Sequence, residues 1–138
     1  MNKGHVHTLR KHEILRQKQL ISLLFRNGKS VKADFLKMVY ADFQLDNHRF
    51  PGIPLILFAV SKKNLHSAVQ RNRVKRMMRE AYRLEKSLVL SHEDSLFNGS
   101  AANVLCVAFL YVDRGKKFPD LEAFRKDVRT LIKSIRLF

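Results

Sequence analysis

The hydrophobic positions in the first sixty residues predict one helix and two strands. From residue 9 to 26, apolar side chains recur among basic and polar ones, which is typical of an amphipathic helix, and Asn27-Gly28 follows as a C-terminal stop. Residues 31–43 are rich in β-forming types and predict a strand, or two strands if the segment is divided. Residues 53–60 are apolar on both faces, which favours a short buried strand.

The second half of the chain predicts a helix, a strand and a final helix. The first of these helices covers about residues 67–84. At 100° per residue its apolar positions share one side and are expected to face the sheet: Val74, Met77, Met78, Ala81 and Leu84. Residues 104–112 predict a second continuously apolar strand. After Asp120, which is a favourable N-cap, apolar residues recur at helical spacing and predict the last helix.

This order of elements, α-β-β-(β)-α-β-α, predicts a single α/β (α+β) domain in which a small mixed sheet packs against helices. The length of 138 residues fits one domain that spans 1–138. Residues 1–7 are expected to form a disordered tail. The polar, turn-rich segment 91–102 is expected to be a mobile loop.

Composition narrows the class of protein. The chain has 27 Lys+Arg against 12 Asp+Glu, a formal net charge of +15 that exceeds the need for solubility. Because 46% of the residues are hydrophobic and ten are Phe, the chain is able to bury a core and is not a wholly disordered basic tail. Its longest apolar runs have eight or nine residues, far fewer than the roughly 20 of a membrane-spanning helix. No secretory signal is visible, so we expect a cytoplasmic protein without a membrane partner.

The positive charge is concentrated in residues 61–86. Nine Lys/Arg occur there against only Glu80 and Glu85, a net +7 in 26 residues. Such a concentration on a globular chain is typical of proteins that bind a polyphosphate, because each neutralised phosphate releases counterions. A solvated helix face, an anionic membrane surface and an acidic protein partner are the alternatives, although a solvated face usually mixes both signs.

Helical geometry gathers part of this charge into a ridge. Asn72, Arg76, Arg79 and Arg83 fall within about 60° of arc, opposite the apolar side of the same helix. We call these four residues the basic ridge. Arginine grips phosphate with two hydrogen bonds, and an Asn side chain is able to hydrogen-bond a base edge or a sugar hydroxyl. Lys62 and Lys63, at a predicted strand end, add point charges beside the helix N-terminus.

Residues suited to catalysis are scattered. Cys106 is the only cysteine and lies in an apolar run, so we expect a buried, unreactive thiol. The twelve acids are dispersed except for Glu93-Asp94, and two-metal nucleases need clustered carboxylates. The six histidines lie near the N-terminus or in predicted loops, and a His5-x-His7 metal site is less favoured than a polar tail. The sequence therefore predicts binding chemistry and no active site or metal site of its own.

Three sequence segments carry a family resemblance. S-K-K at 61–63 ends a predicted strand, R-N-R-V-K-R-M-M-R-E at 71–80 opens the following helix, and F-R-N-G-K-S-V at 25–31 ends the first helix. Together they resemble the protein component of bacterial ribonuclease P over about residues 8–85. Where many members have a glycine after the K-K pair, this chain has Asn64-Leu65-His66-Ser67.

The resemblance implies a function and a set of site residues. In that family the RNA subunit, with Mg²⁺, cleaves the 5′ leader from precursor tRNA, and the protein subunit binds both RNAs. Mg²⁺ is therefore expected mainly on the RNA subunit, and no obligate protein partner is evident. The residues expected to bind the catalytic RNA are Lys62, Lys63, Arg71, Asn72, Arg73, Lys75, Arg76, Arg79 and Arg83. The residues expected to bind the leader, in a cleft between the first helix and the open sheet face, are Ile21, Phe25 and Tyr40. The family also implies a left-handed β-α-β crossover through the second helix, against the usual right-handed rule.

Several alternatives remain open at this stage. Arg73 lies along the edge of the core in one alternative, and Phe25 and Tyr40 belong to the core in another. A ribosomal or RNA-assembly protein without a role in tRNA cleavage has the same charge pattern. A self-sufficient nuclease would cleave RNA without an RNA subunit.

Overall fold

The structure, a computed structural model, describes residues 9–44, 54–86, 103–113 and 118–135. Within these ranges it contains a four-stranded sheet, three α-helices and one short 3₁₀ turn at Lys11–Glu13. The helices are α1 (Lys18–Asn27), α2 (Ala68–Glu85) and α3 (Leu121–Lys133). The strands are β1 (Lys29–Lys32), β2 (Leu36–Gln44), β3 (Leu55–Val60) and β4 (Asn103–Tyr111). The predicted α/β class and order of elements are confirmed, and the predicted tail (1–7) and loop (91–102) lie outside the described residues.

The sheet is mixed, with strand order β1-β2-β4-β3. β1 and β2 form an antiparallel hairpin, β2 and β4 are also antiparallel, and β3 and β4 are parallel. The β3–β4 pair is joined through α2, which supplies the crossover that adjacent parallel strands require. The left-handed sense of this crossover stays a prediction.

Both faces of the sheet are covered. On one face, which we call the α2/α3 face, side chains of all four strands pack against α2 and α3. On the other, the α1 face, Val39, Cys106 and Ala108 pack against Leu20 and Leu24 of α1. β4 is one of the two interior strands, and its residues 104–109 are at most 3% exposed. The continuously apolar run in β4 is therefore explained by burial on two sides.

The apolar side of α2 meets the core largely as predicted. Val74, Met78 and Ala81 are at most 2% exposed, whereas Met77 and Leu84 are only half-buried. Tyr82 is also buried, and its ring packs against Phe58 of β3 (6.1 Å between centroids) and Phe109 of β4 (5.8 Å). The buried side of the helix is thus turned toward Tyr82 and the sheet relative to the helical-wheel prediction.

The first helix is shorter than predicted, since α1 begins at Lys18. Before it, Glu13 closes the 3₁₀ turn by accepting a hydrogen bond from the backbone N–H of Arg10 (2.8 Å). The backbone N–H of Leu15 then donates to the carbonyl of Ile56 (2.8 Å) in β3. This extended segment covers the outer edge of β3, so it is not available for helix.

The predicted strand 31–43 is divided at a tight turn between β1 and β2. The buried carboxylate of Asp127, in α3, accepts hydrogen bonds from the backbone N–H groups of Phe35 (2.9 Å) and Leu36 (3.1 Å). The Phe35 ring packs edge-on against Phe124 at 4.9 Å between centroids. A carboxylate from the last helix therefore fixes the first hairpin.

Gly28 joins α1 to β1 where the helix end lies against β2. Its φ is −73°, so the left-handed conformation common at helix ends is not used here. Space is the reason for glycine, because a Cβ would lie 2.7 Å from Cγ1 of Val39 and 3.1 Å from the carbonyl oxygen of Tyr40.

Three ion pairs, each with a buried acid, attach the end of α2 to its neighbours. At the end of the helix, Glu85 accepts hydrogen bonds from Arg125 (2.8 Å) and Arg129 (2.7 Å) of α3. Burial opposes the charge of Glu85, but the hydrogen bonds from the two arginines outweigh it and hold the pKa of this carboxyl below its usual value. Lys86 donates to Glu13 at 2.7 Å, and both side chains are 5% exposed. Glu85 therefore ties the end of α2 to α3, and Glu13 ties it to the 3₁₀ turn before α1.

Replacing Glu85 with Gln is expected to lower the free energy of unfolding by about 1–3 kcal/mol near neutral pH, because the neutral amide cannot serve both guanidinium groups. The folded-state pKa of Glu85 is lowered, so its stabilising effect is complete above the unfolded-state pKa and is lost as the pH falls through the folded-state value. Urea unfolding at about pH 7 and about pH 3 measures the difference, which should shrink in acid.

The matched control is Glu122→Gln, because Glu122 also pairs with Arg125 but its side chain is 75% exposed. We expect it to change stability by less than about 0.5 kcal/mol. A Glu85→Gln protein as stable as the parent near neutral pH would contradict this role.

Candidate nucleic-acid interface

The basic ridge lies on the outer side of α2. Asn72, Arg76 and Arg79 are exposed, and Arg83 is half-buried. The helix begins at Ser67, whose hydroxyl accepts a hydrogen bond from the backbone N–H of Gln70 (3.3 Å). The predicted ridge is therefore a continuous surface feature about three turns long.

The charges of the ridge are unequally compensated. Arg83 donates to Glu80 through Nε (3.1 Å), and this pairing lowers the pKa of the Glu80 carboxyl, first through the hydrogen bond from Arg83. Within the described ranges, no ion pair or hydrogen bond engages the side chains of Arg76 and Arg79. These two guanidinium groups are the most available phosphate ligands on the helix.

Two other predicted RNA-binding arginines have contacts within the fold. Arg71 donates from Nη1 to the carbonyl oxygens of Leu65 (2.9 Å) and His66 (2.7 Å), which ties the β3–α2 connection to the helix. The guanidinium carbon of Arg73 lies 5.8 Å from the ring centroid of Phe118. Arg73 thus lies beside an aromatic ring at the edge of the core, which is the position expected in the alternative to RNA binding.

The connection between β3 and α2 presents the two predicted lysines. Lys62 and Lys63 are exposed in a turn directly after β3. Asn64 donates from its side chain to the carbonyl of Tyr111 (2.8 Å), and the buried Leu65 donates its backbone N–H to Ser61 (3.1 Å). The turn is closed without the glycine that many members have at this place. Lys75, also predicted to bind RNA, is half-buried on α2.

The α1 face is the second candidate surface. Phe25, near the end of α1, is 45% exposed, and Ile21 is half-buried one turn earlier on the same side of the helix. The sheet contributes half-buried apolar side chains to this face, among them Phe43, Leu57 and Leu110. An exposed aromatic ring beside an apolar floor suits the stacking of single-stranded bases.

Tyr40 does not belong to this face, which corrects its predicted place in the cleft. It is 2% exposed and packs in the α2/α3 cluster with Met38. Successive side chains in a strand point to opposite faces, so Val39 is the residue that faces α1. Sequence reasoning also missed Phe43 and Leu57, because apolar residues on both sides of β2 and β3 conceal which positions share the face of Val39.

The described residues hold no group of three or more His, Cys, Asp or Glu that could bind a metal ion. Burial raises the pKa of the Cys106 thiol to about 12, which keeps the thiol protonated and unreactive. Glu93-Asp94 and the His5-x-His7 pair lie outside the described residues. No helix in the described ranges has the length and apolar character needed to span a membrane.

Comparison with known proteins points to one family. The family model described as Ribonuclease P matches residues 9–135. The ribonuclease P protein component of Chlorobium phaeobacteroides is 46% identical over 134 residues, covering 96% of this chain and 91% of the relative. That of Chlorobaculum tepidum is 38% identical over 136 residues, covering 98% and 87%. The solved RNase P protein from Thermotoga maritima shares the fold, with a TM-score of 0.63, 21% identity and coverage of 90% of this chain and 98% of that one.

Replacing Arg76 and Arg79 together with Ala tests the basic ridge. We expect weaker binding to a structured RNA and a log–log salt dependence that is flatter by up to about 0.9 for each lost phosphate contact. Titration of a structured RNA with the protein at several salt concentrations measures both quantities. A folded variant with an unchanged slope would contradict the assignment. Lys126→Ala, which removes an exposed charge from α3, is the control.

Proposed function

Because the chain belongs to the family of bacterial ribonuclease P protein components, we propose that α2 binds the catalytic RNA and the α1 face holds the 5′ leader of precursor tRNA. The chain serves tRNA processing as a protein subunit of this endoribonuclease. Its place in a ribonucleoprotein implies an RNA partner. We further propose that this RNA is the catalytic RNA, that the protein holds the leader, and that the protein is located in the cytoplasm.

The observation that carries the proposal is the separation of two different surfaces by one sheet. The basic ridge lies outside α2 on the α2/α3 side, while Phe25 and its apolar floor lie on the α1 side. Arg76 and Arg79 suit the fixed phosphates of a folded RNA. The exposed ring of Phe25 suits bases that are not paired, and stacking tolerates variation in sequence.

The chain's own contribution is binding and orientation. Mg²⁺ would supply the activation of water and the stabilisation of the leaving oxygen. The described residues do not fit a metal site, since no cluster of three candidate ligands occurs among them. In this proposal Mg²⁺ is bound by the RNA, and the protein contributes no metal ligand. The self-sufficient nuclease is disfavoured because the part of the chain that the structure describes holds no carboxylate cluster that could bind metal ions.

Reconstitution is the direct test. The full chain is added to its cognate catalytic RNA and precursor tRNA at low Mg²⁺, and cleavage at the 5′ end is measured against protein-only and RNA-only reactions. We expect the protein to stimulate correct cleavage and to be inactive alone. Absence of stimulation would overturn the proposal. A ribosomal or RNA-assembly protein, the alternative that family membership does not favour, gives that result.

Phe25→Ala tests the leader surface. Loss of one stacked base is expected to weaken binding of leader-bearing precursor tRNA by about 1–3 kcal/mol and to leave binding of mature tRNA unchanged. Equilibrium binding to the reconstituted holoenzyme measures both affinities. Phe25→Tyr should retain the parent affinity, because it keeps the aromatic face.

Leu23→Ala is the matched control, since Leu23 is an exposed apolar residue (36%) on the opposite side of the same helix. It should leave both affinities unchanged. If Phe25→Ala and the control behave alike, the leader does not stack on Phe25.

A further inference from the structure

Two lysines face each other across the β1–β2 hairpin without any sequence motif to mark them. Lys32 and Lys37 are direct partners in the antiparallel register. They flank the tight turn at Asp34 and Phe35, and the backbone N–H of Ala33 donates to the carbonyl of Leu36 (2.8 Å) across its base. Paired residues of an antiparallel ladder place their side chains on the same face, about 5 Å apart at Cβ.

The register shows that this is the α1 face. Val31, the neighbour of Lys32, packs into the α2/α3 cluster, so Lys32 points the other way. Lys37 is the partner of Leu110 in β4, and Leu110 packs against the α1 cluster. The two lysines therefore end the same sheet face that carries the apolar floor beside α1.

Neither lysine is neutralised by the described residues. Lys32 is exposed and Lys37 is half-buried, and no ion pair or hydrogen bond engages their side chains there. Asp34, the acid in the intervening turn, is exposed and forms no ion pair with either of them. Like charges directly opposite one another in a sheet destabilise it.

The backbone of the hairpin is fixed, so the two lysine stems cannot move apart at their base. Asp127 holds the backbone N–H groups of Phe35 and Leu36, and the carbonyl of Phe35 accepts a hydrogen bond from Val112 (3.0 Å). The Phe35 ring is 8% exposed. The two lysine stems therefore start from fixed, adjacent backbone positions, which is an unfavourable arrangement in the free protein and a prepared one for an anion.

Protection of a sheet edge explains Lys32 but not Lys37. Lysine on an edge strand discourages pairing with other chains, and Lys32 is on the edge strand β1. Lys37, however, lies on β2, which is paired on both sides by β1 and β4. A second lysine on an interior strand has no edge to protect.

The row that contains the pair continues across the sheet through Leu110 to Ala59, the penultimate residue of β3. Three interstrand spacings of about 4.8 Å place Lys32 about 14 Å from Ala59. The exposed Lys62 and Lys63 follow directly after β3. Lys32 and Lys37 therefore form a positively charged border at one end of the apolar floor on the α1 face, and the two lysines after β3 follow at the same end of the sheet.

We propose that Lys32 and Lys37 bind the phosphate backbone of a single-stranded RNA whose bases lie on the apolar floor of the α1 face. Two adjacent ammonium groups are suited to bind a phosphodiester oxygen. The apolar side chains of the neighbouring floor are suited to the bases instead. The identity of this strand as the 5′ leader of precursor tRNA rests on the proposed function. The catalytic RNA has the same phosphate chemistry and is distinguished by the experiment.

The test variant is the full chain with Lys32→Gln and Lys37→Gln. Its binding to a single-stranded RNA oligonucleotide of leader sequence is measured at several salt concentrations, without the catalytic RNA. We expect weaker binding and a log–log salt slope reduced by up to about 1.4, or about 0.7 for each single-strand phosphate contact. Thermal unfolding should occur about 1–4 °C higher, because the like-charge pair is gone. A merely structural role predicts no loss of binding.

Two controls separate charge from shape. Lys32→Arg with Lys37→Arg keeps both charges and should keep the parent affinity and salt slope. Lys126→Gln removes an exposed charge from α3, on the other side of the sheet, and should leave oligonucleotide binding unchanged. If the Gln pair binds the oligonucleotide as tightly as the parent, the inference is wrong.

The source of the strand is decided with the holoenzyme. For the variant with Lys32→Gln and Lys37→Gln we expect a loss of affinity for leader-bearing precursor tRNA and unchanged affinity for mature tRNA. An equal loss for both substrates, or weaker assembly with the catalytic RNA, would overturn the assignment to the leader. If the parent chain does not stimulate cleavage, the proposed function is wrong. The phosphate site is still supported in that case if oligonucleotide binding depends on Lys32 and Lys37.

Discussion

The arrangement of this protein depends on the burial of β4 on both faces of the sheet. β4 is parallel to β3 and antiparallel to β2, and its central residues are almost completely enclosed. Parallel neighbours cannot be joined by a tight turn, so the chain must cross one face as α2. Burial of the second face then requires α1. The helix that carries the basic ridge and the helix that carries Phe25 are thereby held on opposite sides of one layer.

Several acids form contacts within the fold and leave part of the basic ridge uncompensated. Glu85 compensates Arg125 and Arg129, and Glu13 compensates Lys86. Other carboxylates serve backbone groups, as Asp127 does at the β1–β2 turn and Asp120 does at the N-cap of α3, where it accepts from Ala123 at 2.9 Å. Few acids remain beside the ridge, where Glu80 compensates Arg83 alone. The acids thus stabilise the fold at positions away from Arg76 and Arg79, whose charges stay available for phosphate.

Periodicity carries most of the information about this fold and much less about its leader site. The helical ridge was predictable because its residues belong to one element, where a spacing of three or four residues fixes a common side. Tyr40 was misplaced because a strand buried on both faces has no polar alternation that reveals its phase. The start of α1 and the fixed β1–β2 turn depend on Ile56 and Asp127, which are distant in sequence. The lysine pair depends on register, which only the paired structure supplies.

The connection from β3 to α2 gives the two proposed RNA surfaces a fixed relation. The penultimate residue of β3, Ala59, lies in the row that contains Lys37 on the α1 face, and after β3 seven residues connect the strand to α2 on the other face. That connection is closed by hydrogen bonds of Asn64 with Tyr111 and of Arg71 with Leu65, so it has little freedom to act as a hinge. A strand held on the α1 face would then keep a constant position relative to an RNA bound by α2. Rigid placement of this kind favours cleavage through orientation, and the protein needs no reactive group of its own to provide it.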